Sequence, residues 1–490
     1  MPHEFLPPQP ITLPEPGPRY RARRLTETLG VAAKRLGPLA GRQVARRSTE
    51  HGTSARTLRL MFEELGATYV KFGQMIASAP GIVGQEMAEE FRSCLDSGPP
   101  VPFRLVRDTV EAHLGRPLES VYETFERRPF AAASMSVVHR ATLPGGEVVA
   151  VKVLRPGVAT KIAADLDLME PFFTQLARQG VGQVLELVSY LLGLREQVSE
   201  ELDLRNEMRS MAHFRLLFAD FSLDELVIPK VYEELSGREV LTMEYLDGIA
   251  IDDLARVADL GAQPRPLVEA LLRAWVLTAL QAGVFHADIH AGNLLVLPGG
   301  RLGMLDWGIV ARLDPDTYGM IKGLVSASLG DESVWESITG FIVRMQGTAL
   351  QEGFGLTEEQ IAHMIRAIIE PVLTQPVADV SMAALFSSSD DMVRIATGEA
   401  PVKRTLREKW RANRNIARAN RTVLDNGYVG SEFRRQNFLA AKQLLYLERY
   451  ARMYMPERAV LGDPAFLQAV MDTLAENGPP ALNGVATGEW

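Results

Sequence analysis

The sequence predicts an α+β fold of two unequal lobes, with a helical extension ahead of them and a helical C-terminal region behind. Three observations predict it. Apolar residues keep a helical period over 56–97, switch to strand-forming runs between Ser136 and Leu154, and return to a helical period from about Ala163. A second strand-rich stretch, VFHADIHAGNLLVLPGGRLGMLDWGIV at 284–310, interrupts an otherwise helical second half. Within it Asp288, Asn293 and Asp306 stand five and thirteen residues apart, the spacing of a phosphoryl-transfer site.

Composition and charge narrow the classes. The chain has 490 residues, enough for about three domains and a large core. A net charge of -9 opposes a dedicated nucleic-acid binder, which neutralises phosphates with a basic surplus, so no nucleic-acid partner is expected. Cys94 is the single cysteine, which rules out an intramolecular disulfide and fits a reducing compartment. The opening MPHEFLPPQPITLPEPGPRY has no apolar h-region, and no uncharged apolar run approaches the roughly 20 residues of a spanning helix. A cytoplasmic protein is expected, without signal peptide or transmembrane segment, and with peripheral contact as its route to a membrane.

Taken in order, residues 1–18 are proline-rich and read as a disordered leader. Nine Arg or Lys residues between Arg19 and Arg47 interleave with Leu25, Leu29, Val31, Leu36, Leu39 and Val44. That pattern suits a basic amphipathic helix on an anionic membrane or a solvated helix face, and it completes a first segment of residues 1–55. Residues 56–125 form a helical extension, broken at Ala79-Pro80-Gly81 and again at Gly98-Pro99-Pro100. The small lobe, 126–248, opens on a hairpin, VVHRATL and EVVAVKVL joined by Pro144-Gly145-Gly146. A long helical run at 163–218 and two strands at 227–232 and 238–245 complete it. In the large lobe, 249–400, an apolar strand from Leu294 to Leu297 turns at Pro298-Gly299-Gly300 and returns from Arg301 to Leu305. Residues 401–490 make a basic helical extension, with eight cations between Lys403 and Arg421 that face a membrane, an acidic partner or solvent, and with a tail from Gly478 that frays.

The returning strand brings the polar triad together. Asp288 is placed to accept a hydrogen bond from an incoming hydroxyl or water, while the Asn293 amide oxygen and the Asp306 carboxylate are hard ligands for magnesium bridging nucleotide phosphates. Taken singly, an Asp or Asn at any of these positions caps a turn equally well. Lys152 sits among apolar strand formers, where a lysine either snorkels or faces a polar cleft, and Glu207 is its candidate partner. The run 241–246, with Glu244 and Leu246, has the character of an interlobe connector whose backbone bonds an adenine edge.

Together these motifs resemble the UbiB/ADCK atypical kinase-like family over about residues 65–312. LGATYVKFGQ is similar to its KxGQ motif at Lys71, Gly73 and Gln74, and PFAAASMSVVHRA to its alanine-rich loop at Ala131, Ala132, Ala133 and Ser134. VAVKVLRPGV resembles the strand of the nucleotide lysine, and SEELDLRNE the ExD motif, Glu201 and Asp203, with the ion-pair glutamate Glu207 downstream. FHADIHAGN resembles the catalytic loop and LDWG the metal motif. Ser136, Val137, Leu154, Ser210, Ala291 and Trp307 depart from the usual pattern, and none of them removes an atom needed for nucleotide or metal.

The resemblance implies a protein-kinase-like two-lobed fold with family-specific insertions and ATP/ADP with Mg2+ as cofactors. It implies that the alanine loop replaces a glycine loop over the phosphates, although three alanines also start a helix readily. It further implies that Lys71 meets Glu201 and Asp203 in a lid over the cleft, that ATP turnover is slow, and that the protein supports isoprenoid-quinone or related lipid metabolism, with a lipid or quinone precursor as partner. Two alternatives stay open: a small-molecule phosphotransferase, and a nonenzymatic nucleotide-gated scaffold.

Overall fold

The computed structural model describes residues 5–44, 53–77, 83–92, 100–179, 184–347, 356–380, 394–398, 431–459 and 462–476, with isolated positions 351, 414, 421 and 424. Most of the basic run between Lys403 and Arg421, the Ala79-Pro80-Gly81 break and the tail from Gly478 lie outside the described residues.

The leader corrects the first expectation. Residues 5–17 run extended along the protein: the Ile11 amide donates to the Ser199 carbonyl at 3.0 Å, and the Asn206 side chain exchanges two 2.9 Å bonds with the Gln9 backbone. Phe5, Ile11 and Leu13 pack against the core. Proline-rich chain is pre-extended, so docking it costs little conformational entropy. Helix α1 (Pro18–Val44) follows, with proline at its start. Its cations are largely paired internally: Arg21 with Asp167, Arg23 with Glu27, Lys34 and Arg35 with Glu64, and buried Arg24 with Asp165. Helices α2 (Thr53–Leu65), α3 (Ala67–Ala77) and α4 (Gln85–Arg92) carry the helical period of the extension. Gly73 lets α3 and α4 touch, because a Cβ there would lie 2.7 Å from the Phe91 ring.

After α5 (Phe103–Leu114), the small lobe is a five-stranded sheet. Strands β1 (Thr124–Phe125), β3 (Ser136–Thr142), β4 (Val148–Leu154) and β6 (Val240–Glu244) lie in that order, with β2 (Ala131–Ala132) on the free side of β3. The expected hairpin is β3–β4, in register Val138 to Lys152, and Lys152 in turn faces Leu241 of β6. The alanine run does not start a helix. Ala131 and Ala132 pair with Val138 and Val137, showing a weak helical propensity overridden by an available sheet edge.

The helical run at 163–218 divides into α6 (Val158–Arg178), α7 (Val184–Glu201) and α8 (Leu204–Asp220). Asp203 breaks it, since its backbone is extended and its side chain caps α8 through the Arg205 amide. Asp203 and Glu207 therefore do not share a helical face. The strand expected at 227–232 shrinks to β5 (Leu226–Val227), because Pro229 has no N–H to give a ladder. Strand β5 instead pairs in parallel with the large-lobe hairpin.

The large lobe contains β7 (Ile249–Ala250), α9 (Leu254–Asp259), the buried central helix α10 (Pro264–Ala282), β8 (Val284–His286), β9 (Leu294–Leu297), β10 (Arg301–Met304) and β11 (Val310–Arg312). Strands β5, β10, β9 and β7 form one sheet, and β8 pairs with β11 in another. Helices α11 (Pro315–Ser328), α12 (Val334–Gly347) and α13 (Glu358–Thr374) follow. Helix α14 (Ser431–Tyr454) packs back against α10, α7 and β11, and α15 (Pro464–Glu476) lies against α10.

Candidate functional site

A cavity of about 1040 Å³ lies between the lobes, larger than most small-molecule sites. Ala133 to Ser136 and Lys152 line it from the small lobe, Asp288, His290 and Asp306 from the large one, Lys71 and Gln74 from α3, and Lys442 and Tyr446 from α14.

Lys152 holds the centre. As the fifth residue of β4, hydrogen-bonded on both sides, it has a fixed backbone, and its ammonium donates to both Glu207 oxygens at 2.8 Å and to Asp306 Oδ2 at 3.1 Å. Glu207 projects from the first turn of α8, where the helix dipole favours a carboxylate. Burial works against all three charges. Asp306 and Glu207 nonetheless hold the lysine above its usual range, Lys152 and the Gly308 amide hold Asp306 well below its own, and burial carries the Glu207 carboxyl up to about 7. One cation cannot fully offset two desolvated carboxylates.

The two loops below are tied by His286. Its Nδ1 accepts from the Asp288 amide at 3.1 Å, so Nε2 carries the hydrogen and donates to the Asp306 carbonyl at 2.6 Å. Burial lowers its pKa to about 4, which keeps the ring neutral. Trp307, a departure from the usual motif, packs on Phe214, Phe218 and His286 with ring centroids 4.7, 6.0 and 4.4 Å away. The LDWG segment is thereby wedged against the helix that carries Glu207.

Asp288 Oδ1 accepts from Lys442 at 2.6 Å, and its Oδ2 lies 4.0 Å from His290 Nε2. The Asn293 Nδ2 donates to the Asp288 carbonyl at 2.9 Å, so its amide oxygen is the atom left for a ligand. The Asn293 carbonyl accepts from Leu305 at 2.9 Å, which sets the loop beside Asp306 as the hairpin required.

The lid pairing is half as expected. Lys71 reaches Glu201 at 2.8 Å, with Gln197 donating to the same carboxylate at 2.8 Å. Asp203 is engaged by its own cap and by the Arg205 guanidinium at 2.6 Å, a local bond that chain order favours over a distant lysine. In the alanine loop only Ala133 and Ser134 line the cavity. The Ala133 amide donates to the Ser136 carbonyl at 2.9 Å and its own carbonyl accepts from Arg155 at 3.0 Å, closing a tight turn. The connector assignment needs correction at Glu244. Its amide is spent on the Lys230 carbonyl at 2.8 Å and its carboxylate on the Lys230 amide at 3.1 Å, and neither it nor Leu246 lines this cavity.

Sequence reasoning missed two site residues, Lys442 and Gln443. Gln443 donates to the Ala287 carbonyl at 2.5 Å and accepts from the Ile289 amide at 3.1 Å, bracketing Asp288 from both sides. Nothing in AAKQLLYLERY marks them out, since any amphipathic helix carries such a pair. Arg155 was within reach, adjoining the lysine strand in VKVLRPGV.

Residues 93–334 match the ABC1 atypical kinase-like domain. A chloroplastic aarF domain-containing protein kinase of Arabidopsis thaliana is 32% identical over 418 residues, covering 83% of this chain and 73% of its own. An uncharacterized protein of Mycobacterium tuberculosis is 33% identical over 404 residues, covering 82% of this chain and 75% of its own. A probable protein kinase UbiB of Marinobacter nauticus is 31% identical over 333 residues, covering 66% and 59% respectively. With its kinase-like lobes and with relatives that align over most of both lengths, the chain belongs to the ABC1 atypical kinase-like family.

Proposed function

We propose that the cleft binds ATP or ADP with magnesium and turns ATP over slowly by phosphoryl transfer to water or a small acceptor. The observation that carries this reading is Lys152 held between Glu207 and Asp306, a lysine kept charged and aimed at the cavity. Phosphates entering there compete with the carboxylates for that ammonium. Asp306 and the Asn293 amide oxygen suit magnesium, which takes one or two protein oxygens and completes its shell with phosphate and water. When bound, the ion offsets charge on the transferred group. Asp288 orients the nucleophile, and the Ala133–Ser136 turn covers the phosphates. Lys71 closes the acceptor side through Glu201, which favours a small acceptor over a peptide.

The motif resemblance supports a role in isoprenoid-quinone or related lipid metabolism, with a lipid or quinone precursor as partner. The basic charge between Arg19 and Arg47, where it is not ion-paired internally, and between Lys403 and Arg421 is the proposed contact with an anionic surface. Among the described residues no helix is long and apolar enough to cross a membrane. Asp306→Asn tests the nucleotide reading. The thermal shift that ATP or ADP produces only with magnesium should vanish while the shift-free melting temperature holds, and an unchanged shift would remove the metal assignment.

A further inference from the structure

Helix α14 reaches the candidate nucleophile-orienting residue from more than 130 positions away in sequence, and it holds that residue and its two neighbours through four hydrogen bonds. Lys442 bonds the Asp288 carboxylate at 2.6 Å, and Gln443 bonds the backbone on either side of it, at Ala287 and Ile289. Tyr450, one helical stretch on, donates to the Ile289 carbonyl at 2.7 Å. Gln443, Leu447 and Tyr450 are fully buried, so the helix is seated by that face. The Lys442 side chain remains 17% exposed at the cavity wall, with its ammonium 5.7 Å from the Tyr446 ring centroid. Docking α14 therefore does not require the ammonium. Among the described residues the carboxylate that Lys442 pairs with is Asp288, through Oδ1.

We propose that Lys442 is a positioning residue for phosphoryl transfer. It commits Asp288 Oδ1, leaves Oδ2 as the oxygen that meets an incoming hydroxyl or water, and so selects which side of the carboxylate does the work. The C-terminal extension is then a working part of the site. This inference rests on the phosphoryl-transfer reading above. An ammonium at 2.6 Å restrains carboxylate rotation, and small errors in such an orientation cost large factors in rate.

The test uses the full chain and three variants, Lys442→Met, Lys442→Arg and Asp288→Asn. Lys442→Met should lower kcat for magnesium-dependent ATP turnover roughly 10- to 100-fold with KM for ATP within about two-fold, and Lys442→Arg should recover part of the loss. In an Asp288→Asn background, Lys442→Met should have no further effect, because the lysine acts through that carboxylate. An equal loss in both backgrounds, a loss confined to KM, or no loss overturns the proposal. Hydrogen exchange over residues 286–293 separates this from the parent reading. If the wild-type chain binds nucleotide and turns none over, the phosphoryl-transfer reading fails on its own. Faster exchange in Lys442→Met, slowed again in Lys442→Arg, then still supports loop positioning, and unchanged exchange overturns it.

Discussion

Protonating His286 would set an N–H against the Asp288 amide, which its Nδ1 now accepts, and would charge a ring that is 5% exposed. The folded pKa of about 4 lies below the ordinary value of 6.5, so the unfolded chain takes up this proton first as pH falls. Stability from neutral His286 is complete above pH 6.5 and drains away between 6.5 and about 4, with a limit on the order of 3 kcal/mol. Denaturant unfolding of nucleotide-free wild type and His286→Gln across that range should show their stability gap narrowing toward acid. A gap independent of pH would mean that the histidine is not held neutral. The sequence located His286 beside Asp288, but its tautomer came from two backbone partners eighteen residues apart, the Asp288 amide and the Asp306 carbonyl, one in each motif.

Helix α3 faces α7 across the cleft mouth, and their one predicted bond is present: Lys71 and Glu201, each under 15% exposed in its side chain, meet at 2.8 Å. A pair this enclosed couples strongly. Lys71→Ala should raise ATP turnover or change its kind by loosening the lid, and the double variant with Glu201→Ala should fall short of the summed single effects by about 0.5–3 kcal/mol in stability. Additive effects would separate the two residues. Motif spacing predicted this contact and also Lys152 with Glu207. It failed at Asp203, which chose the cap of its own helix; the helix start that three alanines also allow gave way to a sheet edge, and the strand period overran at Pro229. At Asp203 and the alanine run a nearby hydrogen-bonding opportunity outweighed a propensity worth a few tenths of a kcal/mol, whereas at Pro229 the missing N–H ended the ladder.

Across the whole molecule, a buried cluster anchors the N-terminal extension to the small lobe, alongside the leader's bonds to Ser199 and Asn206 and the Lys71–Glu201 pair. Arg24 donates to Asp165 at 2.5 Å and to the Leu65 carbonyl at 2.6 Å, Thr68 donates to Asp165 at 2.9 Å, and Asp165 is fully buried on α6. Arg24→Met strands that carboxylate, so it should destabilise the chain by roughly 3–5 kcal/mol. Adding Asp165→Leu should recover much of the loss, since an apolar pair needs no counter-charge. Thermal unfolding of the two variants measures this, and a mild single variant would show that the other contacts carry the attachment. The basic pattern that suggested a membrane surface includes this structural arginine, and charge counting alone could not separate the two uses.

Local chemistry, written as short motifs, was enough to determine the α+β class, the β3–β4 and β9–β10 hairpins, and the grouping of Lys152, Glu207, Asp288 and Asp306 around one cavity. Turn residues and strand periods act over a few residues, so they can be read in order along the chain. Only the tertiary structure decided that the leader lies against Ser199 and Asn206, that Arg24 is a buried anchor, and that Lys442 and Gln443 complete the site. Those contacts join residues 140 to 200 positions apart, and their partners are ordinary polar side chains. Nothing local distinguishes them until packing of the apolar faces brings them together.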